Sequence, residues 1–273
     1  MQDAPLLDKV RHVCRVVQSS ADHALDFQKG AEMLGEVIKA NFIIVSTSGK
    51  ILGYTLMDDF HCDLFNQQVL DDGEFPQWYN EKFLLASEES RVNLAQKGKY
   101  CIYFSEEEQV ECKSPNILTT VIPIMGGGKR LGTLVIHRYG EELSTDDLVL
   151  AENGATIIGM EIMRGEVEKR EKEMRHRAIA EVAFDSLSYS ELEAIEEIFK
   201  ELNGQEGIIV ASKIADSLGI TRSVIVNALR KFESAGVIDS RSLGMKGTFI
   251  RVKHPLYMEE IEKRIQSDSS PAF

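Results

Sequence analysis

Cysteine is scarce in this chain. Four are spread through 273 residues, Cys14, Cys62, Cys101 and Cys112, and no two are spaced as C-x-x-C. That excludes a disulfide framework and leaves no basis for a zinc ribbon or a thioredoxin-type redox pair. His61-Cys62-Asp63 places three metal-capable side chains in a row, but adjacent residues rarely converge on one ion and no second cluster accompanies them. No metal is expected. No apolar run approaches the ~20 residues that cross a bilayer, so no membrane partner is expected. Met1-Gln2-Asp3-Ala4-Pro5 lacks the basic start and apolar core of a secretory signal, and the expected location is the cytoplasm. No Ser-His-Asp, H-E-x-x-H or paired-carboxylate pattern is legible, so a nucleotide hydrolase or a reductase has no motif to rest on. Positive charge is also short, with 31 Lys and Arg against 44 Asp and Glu and a formal net charge of -13.

One stretch reverses that balance. Between Gly207 and Lys253 the basic residues are Lys213, Arg222, Arg230, Lys231, Arg241, Lys246, Arg251 and Lys253, and the acids are Asp216, Glu233 and Asp239. Eight against three is a local surplus of positive charge on an acidic chain, which suits a polyanionic partner. The pattern there reads as a helix-turn-helix with a wing. Ile214, Ala215 and Leu218 share one helical face, and Gly219 supplies a tight turn. Thr221 is placed to cap a second helix that buries Ile225, Leu229 and Phe232 and shows Ser223, Asn227, Arg230 and Ser234. Gly236 stops that helix. Val237-Ile238 and Phe249-Val252 read as two strands around the loop Arg241–Gly247. A short helix, a turn, a polar helix and a basic hairpin fit docking on double-stranded DNA.

Upstream, helices and strands alternate. Leu6–Gln18 reads as a helix with Leu7, Val10, Cys14 and Val17 on one face. Asp26 caps a second, carrying Phe27, Ala31, Leu34 and Ile38. Asn41–Ser46 and Ile51–Leu56 form a hairpin, and so do Ile117–Met125 and Arg130–Arg138 around Gly126-Gly127-Gly128-Lys129. Residues 60–90 read as short helices and loops broken at Phe75-Pro76, and Tyr100–Phe104 as a strand. Two helices, an antiparallel sheet and a helical insertion fit a small-molecule sensor of the GAF or PAS kind. Ser144 to Asp147 opens a long helix with a capping box. From Arg164 to Arg175 it becomes a mixed-charge connector with too short an apolar seam for a coiled coil. Tyr189–Ile195 reads as a further helix, and the tail from Ser267 as frayed. The fold class is therefore α+β: a sensor domain over 1–143, a helical linker over 144–177 and a winged helix-turn-helix domain over 178–273.

Leu187–Ile195, Val210–Asp216, Gly219–Lys231, Glu233–Ile238 and Ser240–Thr248 resemble the CodY family of global transcriptional repressors of low-GC Gram-positive bacteria. The hairpin Thr119–Leu134 and the segment Asp146–Glu161 are also similar, so the resemblance covers nearly the whole chain. It implies a GAF domain that senses branched-chain amino acids, isoleucine first, with GTP as a second effector in many members. It implies a homodimer, or a tetramer, on AT-rich palindromic operators of metabolic and stationary-phase genes. In the DNA-binding third, Arg222 and Asn227 are expected at base edges. Ser212, Lys213, Ser223, Arg230 and Lys231 are expected near phosphates, Thr221 is expected in the DNA interface beside them, and Arg241 and Lys246 are expected to reach phosphate or minor groove from the wing. A phosphate on Ser223 would add about -1.5 to -2 charge there and is expected to release the operator.

The same resemblance puts the effector pocket at Phe75, Pro76 and Tyr79, with Cys101, Tyr103 and Phe104 beyond and Phe65 or Val69 before them. These residue types equally suit a plain core. The family meets the ligand carboxylate with an arginine upstream of the Phe-Pro pair, yet no Lys or Arg lies between Ile51 and Glu81, and the matching spot is Leu64 or Phe65. A carboxylate left unpaired in an apolar pocket is costly. Backbone N–H groups, Lys99 or Arg130 must replace the arginine, or the ligand is another metabolite, or the domain only pairs subunits. Gly126–Thr133 is no Walker A loop, since Thr133 stands where the lysine belongs, and its glycines read as turn residues.

Overall fold

The computed structural model describes residues 5–18, 26–58, 60–95, 100–101, 103, 110–112, 116–202 and 204–268. They divide into two compact units, Met1–Glu166 and Val167–Phe273. The N-terminal unit opens with helices α1 (Leu6–Gln18) and α2 (Phe27–Ile38). Asp26 caps α2 by accepting a hydrogen bond from the Gln28 N–H at 3.1 Å. In α1 the core-facing stripe is Val13, which is buried, with Leu6 and Val10 half-buried, while Leu7 stands exposed. This corrects the stripe through Leu7, because two apolar spacings compete on this helix and packing selects the one containing Val13.

Strands β1 (Asn41–Ser46), β2 (Ile51–Thr55), β3 (Arg91–Ala95), β4 (Ile117–Gly126) and β5 (Lys129–Tyr139) form an antiparallel sheet in the order β2-β1-β5-β4-β3. Both faces are covered, and the two-residue period of the strands sorts their side chains. Phe42, Ile44, Ile122, Ile124, Leu134 and Ile136 enter one core, with Leu34 and Ile38. Ile43, Val45, Val121 and Val135 point the other way. There they meet the insertion between β2 and β3, built from α3 (Asp63–Phe65) and α4 (Gln77–Tyr79), each running into a π-helical turn, Asn66–Leu70 and Asn80–Leu84. Each such aliphatic side chain, fully buried, contributes roughly 1.5–3 kcal/mol. The expected strand at Tyr100–Phe104 is not found among the described residues. Tyr100 makes one isolated bridge to Glu111, and Tyr103 lies in a turn.

Helix α5 (Thr145–Asp185) runs for 41 residues. The Ser144–Asp147 box closes at both ends, at 3.1 and 3.2 Å. Its early apolar residues Leu150, Ala151, Ala155 and Ile158 belong to the first core, and Ala180, Ala183 and Phe184 belong to the core of the C-terminal unit. That unit continues with α6 (Tyr189–Glu201), β6 (Glu206–Ile209), α7 (Ala211–Leu218), α8 (Arg222–Ser234), β7 (Ile238–Ser242), β8 (Thr248–Val252) and α9 (Pro255–Asp268). Its sheet runs β6-β8-β7. Residues 269–273, most of the tail expected to fray, lie outside the described ones.

Candidate functional site

Gly219 ends α7 in the left-handed region at φ 68°, so that α8 leaves α7 through a tight turn. Ile225, Ala228, Leu229 and Phe232 bury one face of α8. The other face exposes Arg222, Ser223, Asn227 and Arg230. Thr221 holds the N-cap position, but its hydroxyl lies 2.7 Å from that of Ser223 and bonds no backbone N–H. An arginine at a helix N-terminus opposes the macrodipole, so stability alone does not favour Arg222 there. An anion does, because free N–H groups and positive charge then act together.

Ion pairing separates the basic residues into two sets. Lys213 pairs with Glu201 at 3.4 Å, Arg251 with Glu206 at 2.7 Å and Lys253 with Asp239 at 3.0 Å. Lys231 departs most from expectation. Its ammonium is 2.7 Å from both the Glu191 carboxylate and the Ser186 carbonyl. Glu191 also accepts from the Ser188 N–H, completing the capping box of α6. Lys231 and Ser188 together hold the Glu191 carboxyl below its ordinary range. Lys231 is thus a bolt between α6 and α8 rather than a free cation. Arg222, Arg230, Arg241 and Lys246 are exposed and have no ion pair among the described residues. All four lie on α8 or in the wing. Ser212 is exposed at the start of α7.

In the N-terminal unit the structure gathers Phe65, Val69, Phe75, Tyr79, Cys101 and Tyr103 into one buried cluster. Phe75 stacks on Tyr79 at 5.6 Å, and Tyr103 lies 5.2 Å from Phe65 and 5.3 Å from Tyr79. Pro76 is half-buried at the edge. Phe104 and Lys99 lie outside the described residues. Burial pushes the Cys101 thiol up to about 11, which keeps it protonated and unreactive.

Reading the sequence missed His137 in this cluster, although β-alternation from Val135 would have placed it there. His137 is buried, with Thr119 Oγ1 3.1 Å from Nδ1 and Tyr103 Oη 3.1 Å from Nε2. Desolvation drives its pKa down to about 4, and both hydroxyls can serve the neutral ring in either tautomer. Arg91 was missed too, because β3 is short. Its Cζ lies 4.5 Å over the Phe83 ring, and one terminal nitrogen donates to the Phe83 carbonyl. Arg130, one of the groups offered as a substitute carboxylate partner, spends its donors on the protein itself. It donates to the carbonyls of Gly132 (2.7 Å), Ser87 (2.6 Å) and Leu84 (2.9 Å) and to Thr133 Oγ1 (2.9 Å). Those bonds tie the loop before β3 to β5.

Comparison with known proteins follows the same division. The CodY GAF-like domain family matches residues 5–186, and the CodY helix-turn-helix domain family matches residues 205–264. The global transcriptional regulator CodY of Clostridium botulinum (strain Alaska E43 / Type E3) is 49% identical over 258 residues, 94% of this chain and 98% of that protein. The protein of the same description from Thermoanaerobacter sp. (strain X514) is 50% identical over 258 residues, with the same coverage of 94% and 98%. Among solved structures, the cofactor binding GAF domain of the nutrient sensor CodY from Clostridium difficile is 34% identical. That match covers 59% of this chain and 99% of the other, with a TM-score of 0.39.

Proposed function

The chain belongs to the CodY family of global transcriptional regulators, and from that premise we propose how it works. It represses metabolic and stationary-phase genes in the cytoplasm by holding AT-rich palindromic operators as a homodimer or tetramer. The sensor domain is 1–143, the linker 144–177 and the DNA-binding domain 178–273. Arg222 and Asn227 read base edges. Ser212, Lys213, Thr221, Ser223 and Arg230 position the phosphates, and Arg241 and Lys246 reach the backbone or minor groove. The observation that carries this is that, between Gly207 and Lys253, the four cations with no ion pair among the described residues all lie on α8 and the wing, in a chain of net charge -13.

Control comes from a branched-chain amino acid, isoleucine first, in the cluster around Phe65, Val69, Phe75, Tyr79, Cys101 and Tyr103, with GTP as a second effector. An aliphatic side chain gains roughly 25 cal/mol for each Å² it buries there. The ligand must bind more tightly to the DNA-competent state of the protein than to the other.

A second reading has one observation in its favour, the lack of any Lys or Arg between Ile51 and Glu81. On it, the domain takes another metabolite or only pairs subunits. Calorimetric titration of the full chain with isoleucine, valine, leucine and GTP in turn separates the two. Operator affinity is measured alongside by fluorescence anisotropy. Heat with isoleucine and tighter operator binding support the sensor. Operator binding that no ligand alters rejects it.

A further inference from the structure

Four buried polar atoms beside the aromatic cluster find no hydrogen-bond partner: Asn66 Oδ1 and Asn80 Oδ1 on the π-helical turns, and, paired by their position, the Tyr79 hydroxyl and Arg91 Nε. Tyr79 is 1% exposed, so water does not serve it, and burial with no acceptor is costly for a phenol. Arg91 is half-buried and has no ion pair among the described residues. Phe83 joins the two. Its ring is 4.8 Å from that of Tyr79 and carries the Arg91 guanidinium at 4.5 Å. A second guanidinium, that of Arg130, is depressed by burial first and by the charge of Arg91 next, and its donors are used on the protein itself. Glu88 is the acid whose field reaches Arg130. Two partly desolvated cations and an orphan hydroxyl thus flank an apolar cluster. A core built for stability would not keep them so, whereas a small molecule with an anionic head and an aliphatic body would satisfy both halves.

We propose that Arg91 and the Tyr79 hydroxyl form the carboxylate end of the effector pocket. They take the place of the arginine absent between Ile51 and Glu81, and Arg130 adds charge behind them. The assignment rests on the sensor reading above and names the chemical class of its ligand, an aliphatic α-amino acid bound through its carboxylate. Arg91 Nε donates to one carboxylate oxygen and Tyr79 donates to the anion.

The test is calorimetry at pH 7 on the full chain with L-isoleucine and L-isoleucinamide, in which a neutral carboxamide replaces the carboxylate and the ammonium is kept. The wild type should prefer isoleucine by about 100-fold, the usual worth of a buried charged hydrogen-bonded pair. In Arg91→Gln that preference should fall to within about threefold. A ratio between two ligands on one protein does not move when a variant is merely less stable. Tyr79→Phe, which removes one oxygen, should weaken isoleucine about tenfold. An unchanged preference in Arg91→Gln, or unchanged isoleucine affinity in Tyr79→Phe, overturns the assignment and leaves the sensor reading standing. Loss of GTP binding in Arg91→Gln with isoleucine unaffected would overturn it in favour of a phosphate site. A wild type that binds no branched-chain amino acid removes both readings together.

Discussion

His137 shows how far one residue can couple a pocket to pH. Unfolded, it titrates near 6.5, and folded it stays neutral down to about 4. Between those values the unfolded chain binds the extra proton, so the stability it confers is complete above pH 6.5 and is lost as the pH falls through that window. By pH 5 the loss is about 2 kcal/mol. Urea unfolding followed through Trp78, the chain's single tryptophan, should show that loss between pH 7 and 5, and His137→Gln should reduce it by a similar amount. Ser223 is a residue of the opposite kind, exposed and structurally idle apart from its contact with Thr221. Ser223→Asp adds a negative charge at the N-terminus of α8, where the dipole favours it, so the melting temperature should hold or rise slightly. Operator affinity should nevertheless fall at least tenfold, since the proposed interface puts a DNA phosphate beside that charge. Unchanged affinity in an anisotropy titration would remove Ser223 from the interface.

Helix α5 contains three glycines, Gly154, Gly159 and Gly165, and the last two look alike in sequence and differ in place. Alanine in a helix interior is favoured over glycine by about 1 kcal/mol. At Gly165 nothing lies within 4 Å of an added Cβ, so Gly165→Ala should stabilise by up to about 1 kcal/mol. At Gly159 the same methyl would stand 2.4 Å from the Met125 carbonyl oxygen on β4. Neither a helix nor a central strand yields by that much, and overpacking of this kind costs about 1–3 kcal/mol. Gly159→Ala should therefore destabilise, and thermal melts of the two variants should move in opposite directions. Periodicity alone could not separate the two positions, because it shows that a helix is present and not which turn touches the sheet. It also passed over β3 and β6. Glu206–Ile209 has four residues, too few to display alternation, and it becomes a strand by pairing with β8, about 40 positions further on.

At the scale of the whole molecule, charge is the organising property. Arg230 and Lys231 look equivalent in sequence only until pairing is known: Arg230 has no ion pair among the described residues, and Lys231 is held by Glu191 and Ser186. Arg230→Ala should therefore make the log–log salt dependence of operator binding shallower by roughly 0.9 per chain. Lys231→Met should leave that slope unchanged and lower thermal stability instead. Anisotropy across a potassium chloride series, paired with melts, checks both, and a reduced slope in Lys231→Met would return that lysine to the DNA. The helix-turn-helix, its glycine turn, the two long hairpins and the local basic surplus were legible in the residues, because each is specified by neighbours within a few positions. Phe65, Val69, Phe75, Tyr79, Cys101 and Tyr103 could be named as a set, but only on the strength of family resemblance. Which cations stay free, which arginine stands near Tyr79, and that His137 is buried between two hydroxyls were decided by the tertiary structure. Burial and ion pairing depend on residues such as Arg91 and Tyr79, or Glu191 and Lys231, that are distant in the chain, and no local pattern specifies which of them will meet.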